Sequence, residues 1–285
     1  MIAQTIPILG ALALAGGTVL ERYILKKKKL GIRLYQTISF FAISLIIIPF
    51  LFFFWKMDAG AYELKNILIF ISVIASAITA NLFVFYSLKW EKVTNLQPAR
   101  ILEPMFTILL ALIFSLFIDG FSEPNSKILI PAIIASVALI FPFIKKEHFH
   151  MNKYFVAAIF GSFFFGLELV LSNLILNFYS PITFYFLRCL SIFVISLVVF
   201  HPKTKAMDKK SLLLTFITAG IWVAYRVAVY FGYQNYGVIF TTLIIMLGPI
   251  FIYILANRFL KEKLNWKNII SSLVIIACVI YATIF

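Results

Sequence analysis

Apolar residues run along this chain in long unbroken stretches, and polar positions gather in short segments between them. From Phe40 to Trp55 the only polar side chain is the hydroxyl of Ser44. At about 1.5 Å of rise per residue, a helix needs roughly 20 apolar residues to cross a hydrocarbon layer ~30 Å thick. Ten stretches of that kind are predicted, at 4–24, 34–55, 66–88, 93–118, 126–144, 154–178, 181–200, 211–232, 237–258 and 266–285. Backbone amides in lipid must be paired within the segment or around a closed barrel, and barrel strands alternate in polarity, which these runs do not. The expected fold class is therefore an all-α polytopic membrane protein with ten transmembrane helices.

Composition agrees, with 63% hydrophobic residues, 13% charged residues and 32 phenylalanines. The connections are too short for a soluble catalytic domain, so any function must lie among the helices or at their mouths. The net charge of +14 is accounted for by topology. The connections after helices 1, 3, 5, 7 and 9 hold nineteen Lys and Arg, among them Arg22, Lys26 to Lys29, Lys145, Lys205 and Arg258, whereas the opposite side holds only Lys56, Lys65 and Lys127. By the positive-inside rule the rich side is cytoplasmic. That places a multi-pass protein in the plasma membrane with both termini outside, and no nucleic-acid face is needed. The basic cluster follows the first apolar stretch, so that stretch is expected to stay in the membrane and not to act as a cleaved signal.

Metal and nucleotide chemistry have little to stand on. Cys189 and Cys278 sit inside apolar runs and are expected to pack as small residues. His148, His150 and His201 lie in or beside loops without cysteine partners. No GxxxxGK[ST] phosphate loop occurs, which disfavours an ATP-driven pump. Gly16, Gly17, Gly161 and Gly166 are expected to permit close helix contact. No cofactor or metal is called for; the expected partners are a small-molecule substrate and the lipid bilayer.

The chain also repeats itself weakly. A shift of 145 aligns Val93, Leu102, Pro104, Phe106, Leu110, Ala111 and Phe114 with identical residues at 238, 247, 249, 251, 255, 256 and 259. A shift of 151 pairs Gly10 with Gly161, Val19 with Val170, Leu20 with Leu171, Ile24 with Ile175 and Leu25 with Leu176. Two five-helix units follow, 1–147 and 148–285. Because five is odd, they enter the membrane in opposite directions, as in the inverted repeats through which many transporters alternate access.

Two segments, NLFVFYSLKWEKVTNLQPARILEPMFTILLALIFS and YFGYQNYGVIFTTLIIMLGPIFIYILANRFLKEKLNWKNIISSLVIIACVIYA, each hold a short helix-to-helix corner, a helix with a central proline and a brief connection into a closing helix. In this the chain resembles the drug/metabolite transporter superfamily, specifically its EamA-type ten-helix members, over nearly its whole length. The resemblance implies a permease or exporter of a small metabolite. It does not name the cargo. The first copy departs from the second by placing Arg100 and Glu103 where the second has Ile245 and Gly248, which suggests that polar chemistry is concentrated in helix 4.

Charges at membrane depth cost about 2.5 to 3.5 kcal/mol each on insertion scales and mark functional candidates. Gln97, Arg100 and Glu103 recur every third residue beside Pro104, which removes a donor to the Arg100 carbonyl and predicts a kink. A local Arg100–Glu103 ion pair is the competing reading. Trp222, Arg226 and Tyr230 form a second stripe, in which a guanidinium between two rings can still present its fork to a carboxylate or phosphate; pairing of Arg226 with Glu168 is the alternative. Asn81 and Asn173 are expected as cavity donors or helix-to-helix contacts. Glu21 and Arg22 are expected to snorkel at the cytoplasmic end of helix 1. The expected substrate-binding set is thus Arg100, Glu103, Trp222, Arg226, Tyr230, Asn81 and Gln97. Glu168 is the proton-coupling candidate unless Arg188 reaches it across the helix 6–7 hairpin. The expected function is secondary transport of a small organic metabolite, such as an amino acid or another anionic or zwitterionic compound, by alternating access. A lipid-linked substrate flippase is the first alternative. An integral-membrane enzyme is disfavoured by the scarcity of His, Asp and Cys within the helices.

Overall fold

The computed structural model describes residues 5–27, 30–91, 93–118, 125–141, 152–202, 207–252, 254 and 266–284, without the side chains of 26, 27, 93–95, 97 and 268. Lys28, Lys29, Lys92, Lys145, Lys146, Lys203, Lys205, Arg258, Lys261, Lys263, His148 and His150 lie outside the described residues, as do Leu255, Ala256 and Phe259 of the repeat. The described chain is helical: α1 (Thr5–Arg22), α2 (Ile32–Phe54), α3 (Leu64–Trp90), α4 (Val93–Arg100), α5 (Leu102–Phe117), α6 (Ser126–Ile140), α7 (Lys153–Ile175), α8 (Pro181–Phe200), α9 (Lys209–Tyr236), α10 (Val238–Ile245) and α11 (Trp266–Ile284). Seven spans are long and apolar enough to cross a membrane, and three shorter apolar helices stand at Ser126–Ile140, Val238–Ile252 and Ile269–Ile284.

Helix starts follow local chemistry. Ser180 Oγ accepts from Thr183 N at 3.1 Å, with Pro181 in the first turn of α8, where its missing N–H costs nothing. Asn152 Oδ1 caps α7 by accepting from Tyr154 N and Phe155 N, and Asp208 caps α9 through Ser211 N. Along the helices, many hydroxyls turn back onto the carbonyl four residues earlier, as Thr18 to Leu14, Ser44 to Phe40 and Thr107 to Glu103 do, which satisfies them within their own helix. Large apolar side chains such as Phe52, Phe53, Leu116 and Phe117 point outward, as lipid demands.

Two runs that hydropathy predicts as single helices are interrupted. The fourth breaks at Ile101, between α4 and α5; the ninth breaks at 246–247 and resumes over 248–252. Each break lies just before a proline, Pro104 or Pro249, which then occupies a first helical turn. Ile101 itself keeps right-handed helical dihedrals, φ −62° and ψ −20°, so the irregularity is a one-residue turn three residues before Pro104.

The closest pairings join distant parts of the chain: α3 packs on α7, α1 on α9, α2 on α8, and α6 on α11. Glycines set two of these approaches. A Cβ at Gly161 would stand 2.7 Å from Val84 Cγ2, and one at Gly10 would stand 3.1 Å from Ala228 Cβ. At one end of the bundle the α2–α3 and α7–α8 connections are stitched together, with Asp58 N donating to Phe178 O at 2.8 Å and Lys56 N to Thr183 Oγ1 at 3.1 Å. Cys189 and Cys278 are free and buried.

Candidate functional site

Among the described residues, the most buried charges meet on α7. Glu168 has no exposed surface; its Oε1 lies 3.0 Å from Arg188 Nε and its Oε2 lies 3.2 Å from Arg226 Nη1. Tyr230 OH donates to the same Oε1 at 2.9 Å and Ser172 Oγ donates at 3.2 Å. One carboxylate therefore ties α8 and α9 to α7 and leaves two guanidinium groups with a net charge of +1. Arg188 does reach across the hairpin, so the condition that favoured Glu168 as the proton carrier is not met.

Arg226 is 4% exposed and projects from α9 as expected, but its aromatic neighbours are not those of its own stripe. The guanidinium lies over Phe165 and Tyr225, at 5.2 and 5.4 Å from the ring centroids. Tyr230 instead supports Glu168 and lines neither cavity described below. Trp222 turns to α1, where its Nε1 donates to Glu21 Oε1 at 2.9 Å.

Two adjoining cavities share Arg100. The first is lined by Thr18, Arg100, Glu103, Thr107, Tyr225 and Tyr233, together with apolar residues that include Ile101, Pro104, Ile245 and Pro249. Both interrupted helices thus border it. The second lies toward the ends of α1 and α3 that carry Arg22 and Lys89; its lining includes Glu21, Asn81, Arg100, Arg188, Trp222 and Arg226. Phe40, Phe85 and Phe165 add aromatic wall. Arg100 Nη1 donates to Thr18 Oγ1 at 3.2 Å, and no ion pair joins Arg100 to Glu103 among the described residues. Asn81 faces the second cavity while its Nδ2 donates to Ala77 O at 2.7 Å. The Gln97 side chain lies outside the described residues.

Of the expected set, Arg100, Glu103, Trp222, Arg226 and Asn81 thus come together around the two cavities. Glu21 is the addition. It was expected to snorkel, yet it is 4% exposed and accepts from both Trp222 and Tyr35 OH, the latter at 3.4 Å. The cause is local: α1 does not run out into water but continues into a π-helical turn, Tyr23–Lys27, whose Ile24 and Leu25 are fully buried. Arg22 turns the other way and donates from Nη1 to the Leu88 carbonyl. The one signal that pointed to Glu21 was Gly17, where a Cβ would stand 3.1 Å from Trp222 Cε2 and hold the indole off. With Glu21 counted, the three carboxylates Glu21, Glu103 and Glu168 balance Arg100, Arg188 and Arg226.

Long apolar helices around an ionic centre and two largely apolar cavities that also hold charged side chains define a multi-pass membrane protein. Residues 152–284, just under half of the chain, match the EamA-like transporter family, and over those residues the resemblance seen in the sequence is borne out. No curated protein matches the chain by sequence. A solved structure titled "Crystal structure of protein" superposes with a TM-score of 0.73 over 99% of this chain and 96% of its own, at 14% identity. At that identity the likeness is one of fold.

Proposed function

We propose that the chain is a secondary transporter that moves a small organic metabolite with an anionic or zwitterionic group across the plasma membrane by alternating access. The observation that carries this is the wall of the second cavity, where Arg100, Arg188 and Arg226 face Glu21 as the only carboxylate among the described lining residues. Guanidinium forks fit carboxylate or phosphate, and the aromatic walls suit an apolar body.

The mechanism rests on ten spans arranged as inverted repeats over 1–147 and 148–285, with both termini outside. Exchanging each span for the one five places along turns the α1–α9 pairing into α7–α3, and α5–α7 into α10–α1, and both members of each pair are packed. Gly10 and Gly161, matched by the 151-residue shift, lie at those related crossings. Ile24–Leu25 and Ile175–Leu176, matched by the same shift, are fully buried at the ends of their helices. The two interruptions fall at matched positions, Ile101 and Met246. Such breaks, bordering a cavity between halves, are where transporters of this architecture hold their substrates.

A thermal-shift screen of metabolites on detergent-purified protein tests the reading, because a ligand of the folded state raises stability by mass action. Carboxylate- or phosphate-bearing compounds are expected to raise the melting temperature and to exchange across liposomes containing the protein. Stabilisation by cationic or neutral compounds alone would overturn it.

A further inference from the structure

Glu21 is a buried carboxyl without an ion pair among the described residues. It is 4% exposed, both donors to its Oε1 are neutral side chains, and neither Lys nor Arg stands within ion-pair distance of it among the described residues. Its Oε2 has no hydrogen-bond partner among the described residues and belongs to a residue that lines the second cavity. Glu168 is the opposite case, held by two arginines, Tyr230 and Ser172.

The titratable and charged groups facing Glu21 are few. From α2 comes Tyr35, and from α4 comes Arg100. Arg226 from α9 and Arg188 from α8 stand on the same cavity wall but are engaged by Glu168. On α1 itself Arg22 is turned to Leu88. Arg100 is thus the one unengaged cation of the group, and it is anchored to Thr18, which lies three residues before Glu21 on the same face of α1. It also lines both cavities, so any anion entering either one meets the same guanidinium.

We propose that Glu21 is a proton-binding site whose proton is linked through Arg100 to the anion occupying the cavities. An anionic group that draws the guanidinium away from α1 leaves Glu21 Oε2 to take a proton from solvent hydronium reaching the cavity, forming one O–H bond on the carboxyl as one in hydronium breaks and neutral water is left. Linkage is reciprocal, so a proton on Glu21 equally favours the anion. Proton and anion then bind together and neutralise one another in crossing. The coupling to flux rests on the transport reading above; the proton site does not.

Two measurements test the site without a substrate. Carbodiimide modifies protonated carboxyl groups in apolar surroundings, so dicyclohexylcarbodiimide applied to the wild-type protein, followed by peptide mass spectrometry, is expected to label Glu21 and spare Glu168. Labelling of Glu21 should rise several-fold as the pH is lowered, as the acid form gains population, and by more than that of a surface carboxyl in the same sample. R100Q should extend that labelling to more alkaline pH. Equal labelling of Glu168, or none on Glu21 across the range, would overturn the proposal.

The second measurement uses Trp222 as its reporter. Trp55, Trp90 and Trp266 are each more than half exposed, so replacing all three by Phe leaves only the indole that touches Glu21. Its emission is expected to titrate with pH, to lose that response in E21Q, and to keep it in E103Q. A response that survives E21Q, or that disappears in E103Q, would assign the proton elsewhere. If both measurements succeed while liposomes carry no anion, the proton site stands and the transport reading falls.

Discussion

Arg188 Nε and Glu168 Oε1 are 3.0 Å apart across the α7–α8 hairpin, both without meaningful exposure, and Arg226 reaches the other oxygen of the same carboxylate. Removing that carboxylate leaves two buried guanidinium groups without a counter-charge, a loss that costs about 3 to 5 kcal/mol where such pairs have been broken. Glu168→Gln is therefore expected to lower the melting temperature in mild detergent sharply. Arg188→Met should cost less, because Arg226 and Tyr230 still satisfy Glu168. Equal melting of wild type and Glu168→Gln would mean that water or lipid headgroups screen the centre.

The helix crossings make a second test by contrast. At Gly161 an added methyl would sit 2.7 Å from Val84 Cγ2 and 3.3 Å from the Val84 backbone nitrogen, whereas at Gly220 it would meet nothing within 4 Å. Gly161→Ala should destabilise by about 1 to 3 kcal/mol through overpacking of α7 on α3. Gly220→Ala should stabilise α9 by somewhat under 1 kcal/mol, the difference in helix propensity. Melting curves of the two variants should shift in opposite directions.

The architecture was legible wherever one physical rule acted alone. The seventh expected stretch, 181–200, is found as α8 because Ser180 and Pro181 start it and no competing signal lies nearby. The breaks at Ile101 and at 246–247 were hidden because hydropathy responds to the polarity of a run and not to its backbone pairing. Face was readable and partner was not. The spacing of Trp222, Arg226 and Tyr230 correctly turned all three inward, but which ring meets the guanidinium was decided by Phe165 on another helix and by Tyr225 one residue before. Glu21 escaped because its burial depends on a π-helical turn that tucks Ile24 and Leu25 inward, and no local propensity announces such a turn.

Orientation is open to direct measurement. Lys65 and Lys210 are both exposed in the first turns of α3 and α9, which the charge asymmetry expects to enter the membrane from opposite sides, while the native Cys189 and Cys278 are buried. With an impermeant thiol reagent applied to intact cells, Lys65→Cys is expected to react and Lys210→Cys to react only after the membrane is opened. The reverse pattern would invert the orientation expected from the charge asymmetry and leave the helical fold as it is.

Arg226 separates binding from folding. A lysine there keeps one positive charge within reach of Glu168 Oε2, now at 3.2 Å from the guanidinium, so α7 and α9 should stay joined. It loses the planar fork and the stacking over Phe165 and Tyr225. Arg226→Lys is therefore expected to melt close to wild type while its affinity for an anionic ligand falls roughly tenfold, equivalent to about 1.4 kcal/mol. Arg226→Ala should lose binding and also some stability, because Glu168 would then keep only Arg188. Isothermal titration with the best ligand from the thermal screen, beside melting curves of both variants, reads the two effects separately. If Arg226→Lys binds as tightly as wild type, the guanidinium serves the ionic centre alone, and the anion must be held by Arg100.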